Sequence, residues 1–185
     1  MTEAARPRGG VLPGLEVRVG RIVRLAALAV AIFGGLLLTA LAVMTVASII
    51  GRVLIPLGLR PITGDFEMVE LGCAVAVCSF LPWCQFSRGH VTVDIFVGLG
   101  PRSLHRFTQL TGDLIVTLIA AILLWRFWLG MGEMISNGQE TYLLGLPIWY
   151  GYVGGAVGMV LFLIVSLYTV WRDINDLATG EESFA

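Results

Sequence analysis

From Leu25 to Gly51 the chain runs for 27 residues without a charged side chain. At 1.5 Å per helical residue that is about 40 Å, more than the roughly 30 Å of a bilayer's hydrocarbon core. A soluble domain of this size has no need of such a run, whereas a membrane span does. The rest of the composition agrees. Of 185 residues 57% are hydrophobic and 14% charged, against about 25% charged in an average soluble domain. The apolar residues come in blocks and do not alternate, so the expected class is all-α and membrane-spanning.

Three further spans follow. Leu71 to Ser87 is uncharged but short and contains Pro82. Extended back to a helix start at Thr63, it gains Asp65, Glu67 and Glu70 in its first turns, where carboxylates suit the positive end of the helix dipole. A third span, Phe107–Trp128, is entered through Pro101-Arg102-Ser103, with Ser103 the expected N-cap. It holds Asp113 and Arg126 near its ends, and its helix can run on to the stop signal Asn137-Gly138. The fourth, Ile148–Trp171, follows Pro147 and ends at Arg172 before an acidic tail. The expected fold is one domain, 1–185: an integral membrane four-helix bundle with spans at about 25–50, 66–87, 107–128 and 148–171. A basic tail, 1–24, ends in a short amphipathic turn on the membrane surface, and 172–185 forms the acidic tail. Ala40-Leu41-Ala42 resembles a signal-peptide cleavage site, but the apolar run continues to Ile50, longer than a signal core.

Arginine counts give the orientation. There are 12 basic residues, all arginine. With the N-terminus inside, nine lie on the inner side and Arg52, Arg60 and Arg126 on the outer, so both termini are expected in the cytoplasm. Trp83, Trp125, Trp128, Trp149 and Trp171 fall near span ends, as aromatic belts do. The segment between the second and third spans, Arg88 to Val97, is too apolar for a free loop and too isolated for a strand at membrane depth. It is expected as an interfacial segment, with an ordinary connector as the alternative.

Function classes narrow by chemistry. The net charge of −1 offers no basic surface for nucleic acid. Cys73, Cys78 and Cys84 have neither redox-pair nor zinc spacing, and read as buried apolar residues. No hydrolase, zincin or phosphate-loop pattern occurs. His90 and His105 are not on facing spans, as a two-histidine haem would require. No enzyme, metal or cofactor is expected. Asp113 reads as an interfacial ion pair with Arg106 or Arg88, with a coupling-ion ligand as the lesser alternative. Glu67 and Glu70 share a helix face and are either solvated caps or contacts to a partner or arginine. Gly151-Tyr152-Val153-Gly154-Gly155-Ala156-Val157-Gly158 holds two overlapping G-x-x-x-G frames, which serve packing within the bundle or against another subunit.

Three stretches carry a resemblance. They are Arg52 followed by Gly64, Glu67 and Glu70-Leu71; Arg88-Gly89-His90-Val91 with Val93-Asp94 and Pro101; and Thr141 with Leu146-Pro147, Trp149 and Tyr152. Together with the four-span layout, they resemble the small permease subunit, or Q subunit, of TRAP (tripartite ATP-independent periplasmic) transporters. Pro82-Trp83-Cys84 departs from the small residues more usual there. The resemblance implies a non-catalytic scaffold in a bacterial inner membrane, stably bound to the large permease subunit and transiently to a periplasmic binding protein, in sodium-driven uptake of an organic acid. It makes Arg52, Glu67, Glu70, Arg88, Gly89, His90, Asp94, Pro147, Trp149, Gly151, Tyr152 and Gly155 the interface candidates. The small membrane subunit of another multi-component transporter, of the tripartite tricarboxylate type, and the membrane anchor of an enzyme complex are the rival readings.

Overall fold

The computed structural model describes residues 13–87 and 102–179. Among these it is all-helical, with four long helices: α1 Pro13–Val53, α2 Asp65–Phe86, α3 Arg102–Ser136 and α4 Trp149–Thr179. Each includes a stretch long and apolar enough to cross a membrane. The segment from Arg88 to Val97, with its candidates Arg88, Gly89, His90 and Asp94, lies outside the described residues.

The helices outrun the expected spans. α1 has 41 residues, about 60 Å of helix, so residues 13–24 are its first turns and not a separate amphipathic turn. Pro13 at the start is compatible with this, because a proline's missing N–H costs nothing in a first turn. α3 continues past Trp128 to Ser136 and stops where expected, with Gly138 in the left-handed conformation at φ 58°. α4 carries on past Arg172 to Thr179. Only α2, with 22 residues, is close to one membrane thickness. It starts at Asp65 behind a left-handed Gly64 and not at Thr63.

Packing runs in the order α1, α2, α4, α3. The extensive contacts are α1 on α2, α2 on α4 and α4 on α3, with a smaller one between α1 and α4. The bundle is thus closer to a row than to a ring, with α2 and α4 in the middle. Consecutive helices are antiparallel, so the start of α1 and the end of α4 share one end of the molecule. There Val23, Ala27, Phe86 and Val165 form a core cluster joined by Val19, Trp83, Leu161 and Tyr168.

The middle contact depends on two residues that the sequence leaves far apart. Pro82 is fully buried inside α2, and a proline cannot donate the helical hydrogen bond to the carbonyl four residues back, here that of Cys78. α4 presses Gly158 onto that same carbonyl: a Cβ added at Gly158 would run into the Cys78 carbonyl oxygen and carbon. The close approach is possible because Gly158 has no side chain, and it covers the carbonyl that Pro82 leaves without its helical partner. Weak Cα–H···O contacts recur at such crossings.

Candidate functional site

Among the described residues, the polar side chains that bond to one another gather at the two ends of the bundle. At the end where α1 finishes and α2 begins, Ser48 and Arg52 stand four residues apart on one face of α1. The buried Ser48 hydroxyl donates to Asp65 Oδ2 at 2.6 Å, and Arg52 Nη2 reaches the same oxygen at 3.4 Å. Asp65 Oδ1 accepts the Phe66 N–H at 3.0 Å. The Arg52 side chain remains 52% exposed and lies 6.0 Å over the Phe66 ring. Asp65, read from the sequence only as a first-turn carboxylate, is therefore the pin between α1 and α2.

Two residues further, Glu67 holds the loop between α3 and α4. Its two oxygens accept the N–H groups of Leu143, at 2.6 Å, and of Leu144, at 3.0 Å. That loop closes on itself through Thr141 N–H to Leu146 O at 2.9 Å, Ile148 N–H to Gln139 O at 3.0 Å and a bridge between Glu140 and Pro147. Leu144 packs on Gly64, whose φ of 79° and lack of a Cβ both matter, since a Cβ would meet the Leu144 side chain. The clamp leaves Tyr142 fully exposed and Leu143 largely so. Glu70 is exposed, so two carboxylates three residues apart have separate fates. Leu57, Leu59 and Phe66, also exposed, belong to the same end of the molecule.

Among the remaining candidates of the fourth helix, Gly151, Tyr152 and Gly155 turn inward. A Cβ at Gly151 would meet Leu71 of α2, and one at Gly155 would meet Phe127 of α3 and Cys78 of α2. The Tyr152 ring packs at a tilt against Phe127, with centroids 5.0 Å apart, tying α3 to α4, and the ring of Trp149 lies 4.3 Å from that of Tyr150. Both glycine frames are spent on packing within the chain.

The opposite end holds a buried polar knot that sequence reasoning saw only in part. Gln85, 2% exposed, donates from Nε2 to Asp113 Oδ1 at 3.1 Å and to Thr169 Oγ1 at 3.2 Å, joining α2, α3 and α4. The Thr169 hydroxyl in turn donates a hydrogen bond to Ser166 O at 2.9 Å. Asp113 was expected to meet arginine; its partner among the described residues is an amide, and the side chains of Arg88 and Arg106 lie outside them. Arg172, Asp173 and Asn175 are buried one turn further along α4. Gln85 carried no signal in the sequence beyond being an uncharged polar residue near a span end.

Outward, the middle of α3 is apolar except for Arg126, and nearer its ends Thr111, Glu133 and Ser136 are exposed as well. Leu118, Ile119, Ile122, Leu123 and Leu129 are exposed, and so is Arg126 among them. An arginine at the centre of a membrane helix costs about 2.5–3.5 kcal/mol on insertion scales. Arg126 meets no carboxylate among the described residues. No group of three histidine, cysteine or acidic side chains could hold a metal among them either.

The sequence model of one family, described as tripartite ATP-independent periplasmic transporters, DctQ component, matches residues 41–176. That stretch covers the last third of α1, all of α2, the loop that Glu67 holds, the polar knot and nearly all of α4. No curated protein and no solved structure matches the chain.

Proposed function

From the premise that the chain belongs to the DctQ component family of tripartite ATP-independent periplasmic transporters, we propose that it is the non-catalytic scaffold subunit of such a transporter. In this reading it holds the large permease subunit in a bacterial inner membrane. It lies with both termini in the cytoplasm and presents the hairpin end to the periplasmic binding protein. The transporter it serves takes up an organic acid, driven by sodium.

The observation that supports this best is where the polar groups have gone. A transport path needs polar side chains lining a route through the bilayer. Here Ser48, Asp65 and Glu67 bind within one end, and Gln85, Asp113 and Thr169 bind within the other. Between them the helices meet through Ala76, Met159, Phe162 and Gly158. Such a chain is suited to stand beside a carrier rather than to be one. The arginine asymmetry supports the orientation, and it puts Arg52, Glu70 and the exposed Tyr142 on the periplasmic side.

The test is uptake by liposomes containing the large permease subunit with and without this chain, binding protein and a sodium gradient supplied. The expected result is uptake that requires both membrane subunits, and none from this chain alone. Transport by this chain reconstituted by itself would overturn the scaffold reading. The same liposomes without sodium test the coupling.

A further inference from the structure

The two outermost helices expose comparable apolar surface but differ in one respect. On α1 the exposed Ile32, Phe33, Leu36, Val43 and Val46 belong to a stretch with no charge from Leu25 to Gly51, a face that lipid alone satisfies. On α3 the corresponding face carries Arg126. Ile122 and Leu123, four and three residues before it, and Leu129, three after, are all exposed. Residues at these spacings share a helix face, so the guanidinium belongs to the outer surface and not to the seam with α4.

Its depth follows from its neighbour. The Phe127 ring packs at a tilt against Tyr152 and would touch a Cβ at Gly155, which is six residues, or about 9 Å, inside the start of α4. Direction matters as well as depth. Side chains on a helix lean toward its N-terminus, and α3 starts at the end opposite the hairpin. The Arg126 side chain therefore sets out toward the middle of the membrane and away from the nearer headgroups. Reaching a lipid phosphate requires it to fold back along its own helix.

Resting on the scaffold reading above, we infer that this face of α3, around Leu118, Ile122 and Arg126, is where a membrane helix of the large permease subunit packs. That helix brings an acidic side chain to the depth of Arg126. The charge selects α3 over α1 as the subunit interface, because a fixed guanidinium among apolar side chains requires an anionic acceptor, which a helix of the partner can hold in place.

The experiment uses the complete transporter in host membranes. The photoreactive residue p-benzoylphenylalanine replaces Leu118 or Ile122 on α3, and Leu36 or Val43 on α1. After irradiation the adducts are identified by mass spectrometry. Adducts from α3 to a membrane-spanning segment of the large subunit, with none from α1, are expected. In parallel, Arg126→Glu should lower the large subunit recovered with this chain by about tenfold or more, and Arg126→Lys should retain most of it. Should Arg126→Glu fail to insert, the adducts, formed with Arg126 in place, still decide. Adducts from α1 alone, or only lipid adducts from α3 while the large subunit still co-purifies, overturn the inference and leave the scaffold reading intact. A wild-type chain that recovers no large subunit overturns both.

Discussion

Along α4, Met159, Phe162 and Val165 are buried against neighbouring helices, whereas Ile115, Leu118 and Ile122 of α3 stand open on the outside. The side chains are of the same kind, so hydrophobicity does not separate them. In a bilayer an apolar side chain is equally at ease against lipid and against another helix, and what draws helices together is close packing and hydrogen bonding. The inner seam between α2 and α4 has both: Gly158 on the Cys78 carbonyl, and Gln85 bonded across three helices. Among the described residues the exposed stretch of α3 from Ile115 to Leu129 shows neither toward another helix, and it carries Arg126. The seam therefore carries the fold and the outer faces are left for lipid and partners.

The most direct way to break that contrast is to put volume where the backbones meet. Gly158→Leu should separate α2 from α4 and cost several times the effect of any outer substitution, at least the 1–3 kcal/mol or so typical of overpacking. Thermal unfolding of the purified chain in detergent, followed by tryptophan fluorescence, would show it. Gly132→Ala on α3, where an added Cβ meets nothing within 4 Å, should not destabilise the chain and should raise stability by about 0.5–1 kcal/mol through helix propensity. Equal effects from the two would remove the distinction between seam and outer face.

Next in size is the polar knot. Gln85→Ala takes from Asp113 the amide that it bonds and should destabilise the chain by about 1–3 kcal/mol. If the knot acts as a unit, Thr169→Val should add little in the Gln85→Ala background, because both substitutions remove the same bond. Additive losses would mean that the three helices are held separately.

How much of this was legible in the sequence depends on distance along the chain. The four spans were readable because an uncharged run is a local property, and the end of α3 at Ser136 because Asn137-Gly138 is a local stop. The partner of Glu67 was not, since its acceptors serve the amides of Leu143 and Leu144, more than seventy residues away. The spacing of Glu67 and Glu70 predicted a shared face but could not foresee that a loop would claim only one of them. Pro82 looked like a threat to α2. Its compensation by Gly158 required knowing that α2 packs on α4, and a G-x-x-x-G frame does not say which helix it will meet. Gln85 and Asp113, 28 residues apart on different helices, had the same difficulty.

A third substitution tests the hairpin clamp and should act locally. Glu67→Ala removes the acceptor of two backbone N–H groups, so the amides of Leu143 and Leu144 should exchange hydrogen roughly tenfold faster while global unfolding changes little. Glu67→Gln, which keeps one acceptor oxygen, should fall between. If binding-protein affinity drops with Glu67→Ala while the fold holds, the rigid presentation of Tyr142 and Leu143 belongs to the docking surface. Unchanged affinity would remove the hairpin from it.

The smallest expected change in stability is at Arg52, the one residue that belongs to both sides of the comparison. Asp65 Oδ2 has two donors, the buried Ser48 hydroxyl at 2.6 Å and the half-exposed Arg52 at 3.4 Å. A short bond from a buried donor outweighs a long one from a guanidinium shared with solvent, so Ser48→Ala should lower the unfolding temperature more than Arg52→Ala. The Arg52→Ala effect should also shrink in about 1 M salt, where screening falls to roughly 3 Å, while the Ser48→Ala effect persists. Since Arg52 contributes so little inward, the rest of its charge is available outward, and Arg52→Ala should weaken binding-protein docking more than it weakens the fold. The reverse order, a large loss of stability with docking intact, would make Arg52 part of the seam and move the boundary between scaffold and surface outward by one residue.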